Sequence, residues 1–462
     1  MPESWATSVD LHLDLAPARG RPALERALRD AVRSGRLAPG TRLPSSRALA
    51  ADLRVARNSV AETYGQLVAE GWLEARQGSG TRVASRVPVS PPAPVPTAPR
   101  RQPRHSLRPG SPDLSSFPRT AWLAASRRAL ASAPAEALGY SDPRGRPELR
   151  RALADYLARA RGVHADPGRI VVCGGFAQGL GLLCDVLRAG GARSLATEAW
   201  CQSGTRSIVA DRGLELSTVP VDESGARLDP SPEAGGADAV LLTPAHQFPL
   251  GGVLAAERRT AAVHWAVATG GLLIEDDYDG EFRYDRHPVG ALQGLAPDRV
   301  VYAGTASKTL APGLRLGWLV LPAPLLEPVV AAKVLADRQH GALDQLAMAA
   351  FVDSGGYDRH VRRRRLAYRG RRDRLVAALA EHAPRARVTG VAAGLHALVH
   401  LPPGRTEAEV VAAAARRGLA LEPLGLYATG SATHPPALVV GYGTPPDHDF
   451  ATAVNLLCAV LA

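Results

Sequence analysis

The chain contains two lysines, Lys308 and Lys333, among 55 basic residues, and arginine supplies every other fixed positive side chain. The two are not interchangeable in chemistry. A guanidinium stays protonated and forms no Schiff base, whereas a lysine can lose its proton and condense with an aldehyde. Lys308 sits in Gly304-Thr305-Ala306-Ser307-Lys308-Thr309-Leu310, and Arg315 follows seven residues later in Pro312-Gly313-Leu314-Arg315-Leu316-Gly317. Lys333 lies in a helical Ala/Val/Leu run with no polar motif around it and is expected at the surface. Two other clusters could join Lys308. Cys173-Gly174-Gly175-Phe176-Ala177-Gln178 precedes a Leu-rich helix, and a glycine turn opening a helix offers N–H groups and a positive dipole end to a phosphate. Glu275-Asp276-Asp277-Tyr278-Asp279 is an acidic run that could equally hold a metal.

Short β-branched runs bring these clusters into one frame. Ile170-Val171-Val172, Ala239-Val240-Leu241-Leu242, Gly271-Leu272-Leu273-Ile274 and Arg299-Val300-Val301-Tyr302 are bounded by turn residues and separated by helix-length segments. That alternation predicts a parallel α/β sheet, in which ligand groups gather at the carboxyl ends of the strands. The glycine turn, the acidic run and the lysine segment each follow such a strand. Together they fit a pyridoxal phosphate site better than a metal site, because no histidine stands at ligand spacing near Asp276. In that site Lys308 forms the Schiff base. A strand-end carboxylate pairs with the pyridine nitrogen and keeps it protonated, so that the ring acts as an electron sink. Arg315, the Thr305 hydroxyl and the amides of Gly175, Phe176 and Ala177 take the phosphate, where a planar guanidinium fork is useful.

At 462 residues, two or three domains are expected. Residues 1–112 hold 17 arginines against 9 acids, whereas the remaining 350 residues hold 38 basic against 35 acidic. A small basic module on a nearly neutral body suggests a polyanion-binding head on a ligand-binding or catalytic trunk. Residues 85–112 contain nine prolines and are expected to form an extended, semi-rigid linker. The expected divisions are therefore 1–84, 85–112 and 113–462. No apolar run reaches the ~18 residues of a membrane span, and Met1-Pro2-Glu3-Ser4-Trp5 begins no basic-then-apolar export signal. The cysteines Cys173, Cys184, Cys201 and Cys458 form no CxxC pair, so reduced thiols in a cytoplasmic protein are expected.

In the head, 22–35 is predicted helical, with Leu24, Ala27, Leu28, Ala31 and Val32 on one face. Leu43-Pro44-Ser45-Ser46 reads as a serine-capped helix start ending near Leu53-Arg54-Val55. A further helix runs from about Ala56 through Val60, Tyr64, Leu67 and Val68 to Gly71. Two short strands, 72–76 and 81–84, flank Gln77-Gly78-Ser79-Gly80. Three helices and a glycine-tipped hairpin make a winged helix-turn-helix. The stretch 34–84 resembles the GntR-type DNA-binding head over its full length. The resemblance implies that Arg47, Arg57, Asn58, Ser59, Gln77 and Gly78 face double-stranded DNA. Arg57 and Asn58 would then reach base edges in the major groove, Arg47 would hold phosphate, and the wing would approach the neighbouring groove. Arg54 stands where the turn usually has glycine, which calls for a non-glycine residue in left-handed backbone.

The body resembles the aminotransferase fold, and the chain from about Arg19 onward resembles the MocR-type regulators, which join a GntR head to that fold. The segments that carry the likeness are 139–145, 243–249, 275–284 and 304–317. The implied architecture is a small α+β winged helix-turn-helix followed by an α/β, fold type I, pyridoxal-phosphate aminotransferase-like body. The resemblance implies Lys308 as the Schiff-base residue, Asp276 as partner of the pyridine nitrogen and Tyr278 near the ring hydroxyl. It also implies that Tyr140 reaches the phosphate of the neighbouring subunit, in a homodimer where the head of one chain packs on the body of the other. Three positions depart from the aminotransferase pattern. Gln202 falls where an aromatic stacks on the ring, with Trp200 two residues away. Phe248 replaces the asparagine of Asn-Pro-x-Gly. Val439 falls where an arginine clamps a substrate carboxylate, with Arg206 as a candidate replacement. An intact head and a missing clamp predict a transcription regulator, without catalytic residues, that senses pyridoxal phosphate itself or an amine or amino acid. The rival is a working aminotransferase with an incidental head.

Overall fold

The computed structural model describes residues 20–76, 79–85, 103–228, 236–284, 289–429, 432 and 434–462. They fall into two units, Met1–Arg100 and Arg101–Ala462. Among the described residues no helix is long and apolar enough to cross a membrane.

In the first unit, helices Arg21–Arg33, Ser46–Leu53 and Arg57–Ala69 precede an antiparallel hairpin, Leu73–Arg76 with Gly80–Val83. The first helix buries Leu24, Leu28 and Ala31, an i, i+4, i+7 stripe. That stripe packs with Leu49, Val60, Tyr64, Leu67, Leu73 and Val83 in one core. Ser45 caps the second helix, its side chain accepting from the Ala48 N–H. The Tyr64 hydroxyl donates to the Pro44 carbonyl at 3.0 Å and ties the third helix to the start of the second. Arg54 ends the second helix at φ 54°, the left-handed conformation expected from its position. That conformation costs an L-residue about 1–2 kcal/mol, of which glycine's greater chain entropy offsets roughly 0.5–1. Arg54→Gly is therefore expected to stabilise the head by about 0.5–1 kcal/mol. A denaturant titration following the head's transition checks this, and a fall in stability would contradict it. Gln77 and Gly78, the proposed wing tip, lie outside the described residues.

The second unit is built on a seven-stranded sheet. Its strand order is Ile170–Cys173, Gly317–Val320, Val300–Thr305, Leu272–Asp277, Ala239–Leu242, Ser194–Glu198, Glu215–Val219. Gly317–Val320 runs antiparallel to both neighbours, and the other pairings are parallel. Strands of this kind are covered on both faces, and the side chains show it. Ile170 and Val172 enter a core with helices Pro147–Arg161 and Ala342–Asp353, whereas Val171 and Cys173 enter another with helix Phe176–Ala189. A smaller sheet, Arg387–Thr389, Ala397–His400, Ala437–Val440 and Glu422–Pro423, shares a further core with helices Gly356–His382, Glu407–Arg416 and Asp447–Leu461.

Two sequence expectations need correction. The linker reading of 85–112 does not hold at its end, because His105–Ser106 pairs in parallel with Leu419–Ala420 and Leu107 is fully buried. Proline-rich backbone is extended, which is also what a strand needs, and here it is held by the buried Leu107, by hydrogen bonds to the Gly418 and Ala420 carbonyls at 3.0 Å, and by His105 against Asp449 at 2.6 Å. Lys333 is not at the surface. It is 0% exposed, its stem lies in the apolar helix Ala323–Ala336, and its ammonium pairs with both Asp337 oxygens at 2.9 Å.

Candidate functional site

Above the carboxyl ends of the central strands lies a cavity of about 340 Å³ whose walls include Phe176, Ala177, Asp276, Tyr278, Thr305, Lys308 and Arg315. Strand pairing sets their level. Asp276 is opposite Ala303 and Asp277 opposite Gly304, so the acidic run and the lysine segment leave the sheet side by side. The acids were expected beyond the strand but are its last residues, since the strand is Leu272–Asp277. Carboxylates disfavour strands, and here their partners overrule that preference. Glu275 accepts from the N–H groups of Leu292 and Gln293 at 2.8 and 2.9 Å. Asp277 takes a bidentate pair from Arg161, at 2.7 and 3.1 Å, and the Tyr302 hydroxyl at 2.8 Å.

Asp276 differs from its neighbours. It is half-buried, its Oδ1 is sealed and has no hydrogen-bond partner among the described residues, and desolvation raises its pKa to about 8 against the opposing pull of Lys308. Lys308 is displaced the other way, with burial lowering its pKa while Asp276 and Asp279 hold it up. Its Nζ donates to the Gly110 carbonyl at 2.5 Å. A carboxylate with a sealed oxygen lacking a donor, beside an amine inclined to be neutral, suits a cationic ring nitrogen and an aldehyde. Pyridoxal phosphate therefore fits these residues.

The opposite end of the cavity suits an anion. Gly175, at φ +88°, leads into helix Phe176–Ala189, whose first N–H groups have no acceptor within the helix. A side chain at Gly175 would lie 3.3 Å from the Arg315 guanidinium, and one at Gly317 would meet the Gly175 backbone at 2.8 Å, so glycine is required at both. A chain of contacts holds this turn from behind: Gly174 N–H to Gln178 Oε1 at 2.5 Å, Gln178 Nε2 to Asp337 at 2.7 Å, and Asp337 to Lys333. The Thr305 hydroxyl already donates to the Leu316 carbonyl at 3.2 Å and accepts from the Ser307 N–H at 3.1 Å. Ser307, absent from the sequence-based set, also lines the cavity.

The positions that depart from the aminotransferase pattern now have surroundings. Gln202 and Cys201 border the cavity, whereas Trp200 does not. Trp200 packs instead with Phe248, Leu398, Tyr427 and Val439, which is 0% exposed. An apolar cluster thus fills the place of the carboxylate clamp. Arg206 is no replacement, since its guanidinium is taken up by the Leu426 and Ala428 carbonyls and by Thr429 Oγ1. Tyr140 is away from the cavity, 81% exposed, with the Arg338 guanidinium 4.5 Å from its ring centroid.

Sequence reasoning missed three further residues, Glu198, His246 and His396. Glu198 lines the cavity, and burial raises its pKa to about 7 although Thr243 donates to it through N–H and hydroxyl. His246 Nδ1 stands 3.0 Å from Asp279 and 3.1 Å from the Tyr278 hydroxyl, and its ring packs on His396, centroids 4.8 Å apart. These histidines come from distant segments, so spacing along the chain could not associate them with the acidic run. They offer metal-ligand atoms within 4.8 Å of one another together with Asp279. Their rings are tilted by 37°, with His396 Nε2 3.2 Å from the Pro249 carbonyl. The arrangement reads as a buried support for Tyr278. In the head, Arg47, Arg57 and Asn58 are exposed and Ser59 is half-buried, with Arg57 the first residue of its helix.

Known proteins match both units. The family described as bacterial regulatory proteins of the gntR family matches residues 22–83, and aminotransferase class I and II matches residues 110–434. The HTH-type pyridoxine biosynthesis transcriptional regulator PdxR of Corynebacterium glutamicum is 36% identical, over 91% of each chain. The probable rhizopine catabolism regulatory protein MocR of Rhizobium meliloti is 33% identical, over 78% of this chain and 77% of its own. Among solved structures, an archaeal alanine:glyoxylate aminotransferase superposes with a TM-score of 0.71 at 27% identity, covering 77% of this chain and 90% of its own. The chain belongs to the MocR-type transcription regulators, in which a GntR-family winged helix-turn-helix is followed by an aminotransferase class I and II body.

Proposed function

We propose that this regulator binds pyridoxal 5'-phosphate in its body and promoter DNA through its head, and that the body reports the state of its site to the DNA. The observation that carries the reading is Asp276, a half-buried carboxylate whose buried Oδ1 is unpartnered among the described residues, in one cavity with Lys308 and Arg315. Lys308 would attach the cofactor, Asp276 would hold its ring nitrogen protonated, and Tyr278 would lie near the ring hydroxyl. Arg315, Ser307 and the amides of Gly175, Phe176 and Ala177 would receive its phosphate. Bound there, the cofactor supplies an electron sink. Tyr140, exposed and remote from its own cavity, would serve the neighbouring subunit of a homodimer in which each head packs on the other body. The protein would act in the cytoplasm as a sensor rather than as an enzyme. Among the described residues the charged side chains around the cavity are Glu198, Asp276, Lys308 and Arg315, so none of these offers a second free cation for an amino-acid carboxylate. Losing such a contact removes about 1.5–3 kcal/mol. The effector is therefore pyridoxal phosphate itself or an amine without that carboxylate, and the first is preferred because it needs no clamp.

The test is promoter binding by the full chain, as apoprotein titrated with pyridoxal phosphate and as holoprotein titrated with α-amino acids. Modulation by the cofactor supports the reading, and strong modulation of the holoprotein by a common α-amino acid overturns the effector assignment. The DNA-facing residues have distinct expectations. Arg57→Ala should cost roughly 1–3 kcal/mol on the specific site and little on random DNA. Arg47→Ala should weaken both alike and flatten the salt dependence by about one ion. Equal losses on specific and random DNA for Arg57→Ala would remove it from base recognition.

A further inference from the structure

The body's positive charge is concentrated in one helix. Residues 113–462 hold 38 basic against 35 acidic side chains, but the sixteen residues 359–374 hold nine arginines and one aspartate. The rest of the body therefore holds 29 basic against 34 acidic and is net negative. Six of the nine arginines form two sets, and Arg365, Arg372 and Arg374 lie outside both. Arg364 and Arg371 point inward and are structural: Arg371 is 0% exposed and pairs with Asp113 and Asp447, and Arg364 lies over the Tyr368 ring. Arg359, Arg362, Arg363 and Arg369 are exposed on helix Gly356–His382. Arg362 and Arg363 have no hydrogen bond or ion pair among the described residues. Arg359 reaches only the Ser354 carbonyl, and Arg369 has Asp373 at 3.9 Å. Asp358, on the same helix, is taken by Arg159 at 2.9 Å.

Like charges three and four residues apart destabilise a helix by about 0.2–0.5 kcal/mol per pair, so packing gives no reason for this face. We propose that it is a second DNA-contacting surface, which binds the phosphate backbone of the duplex outside the stretch read by the head. At ~1.5 Å per residue, Arg359 to Arg369 spans about 15 Å, four to five base-pair steps of duplex at ~3.4 Å each. Guanidinium forks suit phosphate oxygens. Duplex DNA is chosen over other polyanions because a GntR-family head on the same chain already brings it. The inference rests on that DNA-binding reading.

The test uses the full chain and two duplexes, one bearing the head's site alone and one extended by about 40 base pairs, roughly four turns. The variant carries Arg359→Gln, Arg362→Gln, Arg363→Gln and Arg369→Gln. A control carries Arg385→Gln, Arg387→Gln, Arg416→Gln and Arg417→Gln, which removes as much exposed charge elsewhere. On the long duplex, log affinity of the wild type should fall with log salt more steeply than on the short one. The variant should lose about three to four units of that slope, four contacts at about 0.9 each. Its binding to the short duplex, its circular dichroism and its sedimentation should be unchanged. An unchanged slope on the long duplex would overturn the proposal, as would an equal loss in the control. A change in oligomeric state would assign the face to subunit contact instead and overturn it too. Loss of binding to both duplexes in the wild type would instead sink the DNA-binding reading itself.

Discussion

Lys308→Ala will leave a folded protein that no longer holds pyridoxal phosphate covalently. Purified wild-type protein should be yellow, and borohydride reduction should fix the cofactor's mass on one peptide, the one containing Lys308. The alanine variant should show neither. Among the described residues the side chain makes a single hydrogen bond, to the carbonyl of Gly110, which lines the cavity, where water can replace the amine. The surrounding strands and the Arg315–Gly175 approach do not depend on the amine. The loss should therefore be complete for attachment and small for stability, with the thermal midpoint of the apoprotein nearly unchanged. Reductive trapping at full yield in the variant would remove Lys308 from its role.

The second large effect concerns pH. Unfolded, Asp276 titrates near 4, whereas burial raises it to about 8 in the folded apoprotein. Between those values the folded state binds a proton that the unfolded state lacks, so this group's contribution falls as pH rises from about 4 to about 8. At about 1.4 kcal/mol per unit the full change is on the order of 5 kcal/mol. Glu198, raised to about 7 by burial, acts in the same direction over a narrower range. His360, lowered to about 4 by burial, acts oppositely, since a neutral folded histidine favours high pH. The informative quantity is thus the difference between wild type and Asp276→Asn. Stability of the apoprotein at pH 5 relative to pH 8.5 should be greater in wild type by several kcal/mol. A cationic ring nitrogen beside Asp276 keeps the carboxylate ionised, so adding the cofactor should erase that difference. Equal pH profiles for the two apoproteins would show that Asp276 is ionised across the whole range.

What the sequence revealed was local chemistry in the right order along the chain. Lys308, Asp276, Arg315 and the turn at Gly175 were legible because each follows a β-branched run, and such runs predict where a sheet ends. The left-handed Arg54 was legible because one residue's type conflicted with the turn it occupies. What stayed hidden depended on neighbours far away in sequence. Glu275 and Asp277 belong to a strand only because Leu292, Gln293, Arg161 and Tyr302 satisfy them. His246 and His396 meet only in the folded chain. Lys333 looked peripheral because its partner Asp337 lies one helical turn on, in a position that an exposed pair would share. The fate of Arg206 could not be read from its own segment, since the loop it holds is more than two hundred residues away.

The burial of Lys333 has a practical result for anyone probing the assembly. With one lysine sealed beneath the glycine turn and the other inside the cavity, neither lysine amine is on the outer surface. Lysine-directed cross-linkers find no exposed lysine with which to bridge subunits however closely they associate, so a negative result with such reagents carries no information about oligomerisation. The same scarcity makes Lys308 addressable: an aldehyde-bearing dye small enough to enter the cavity meets no other lysine there.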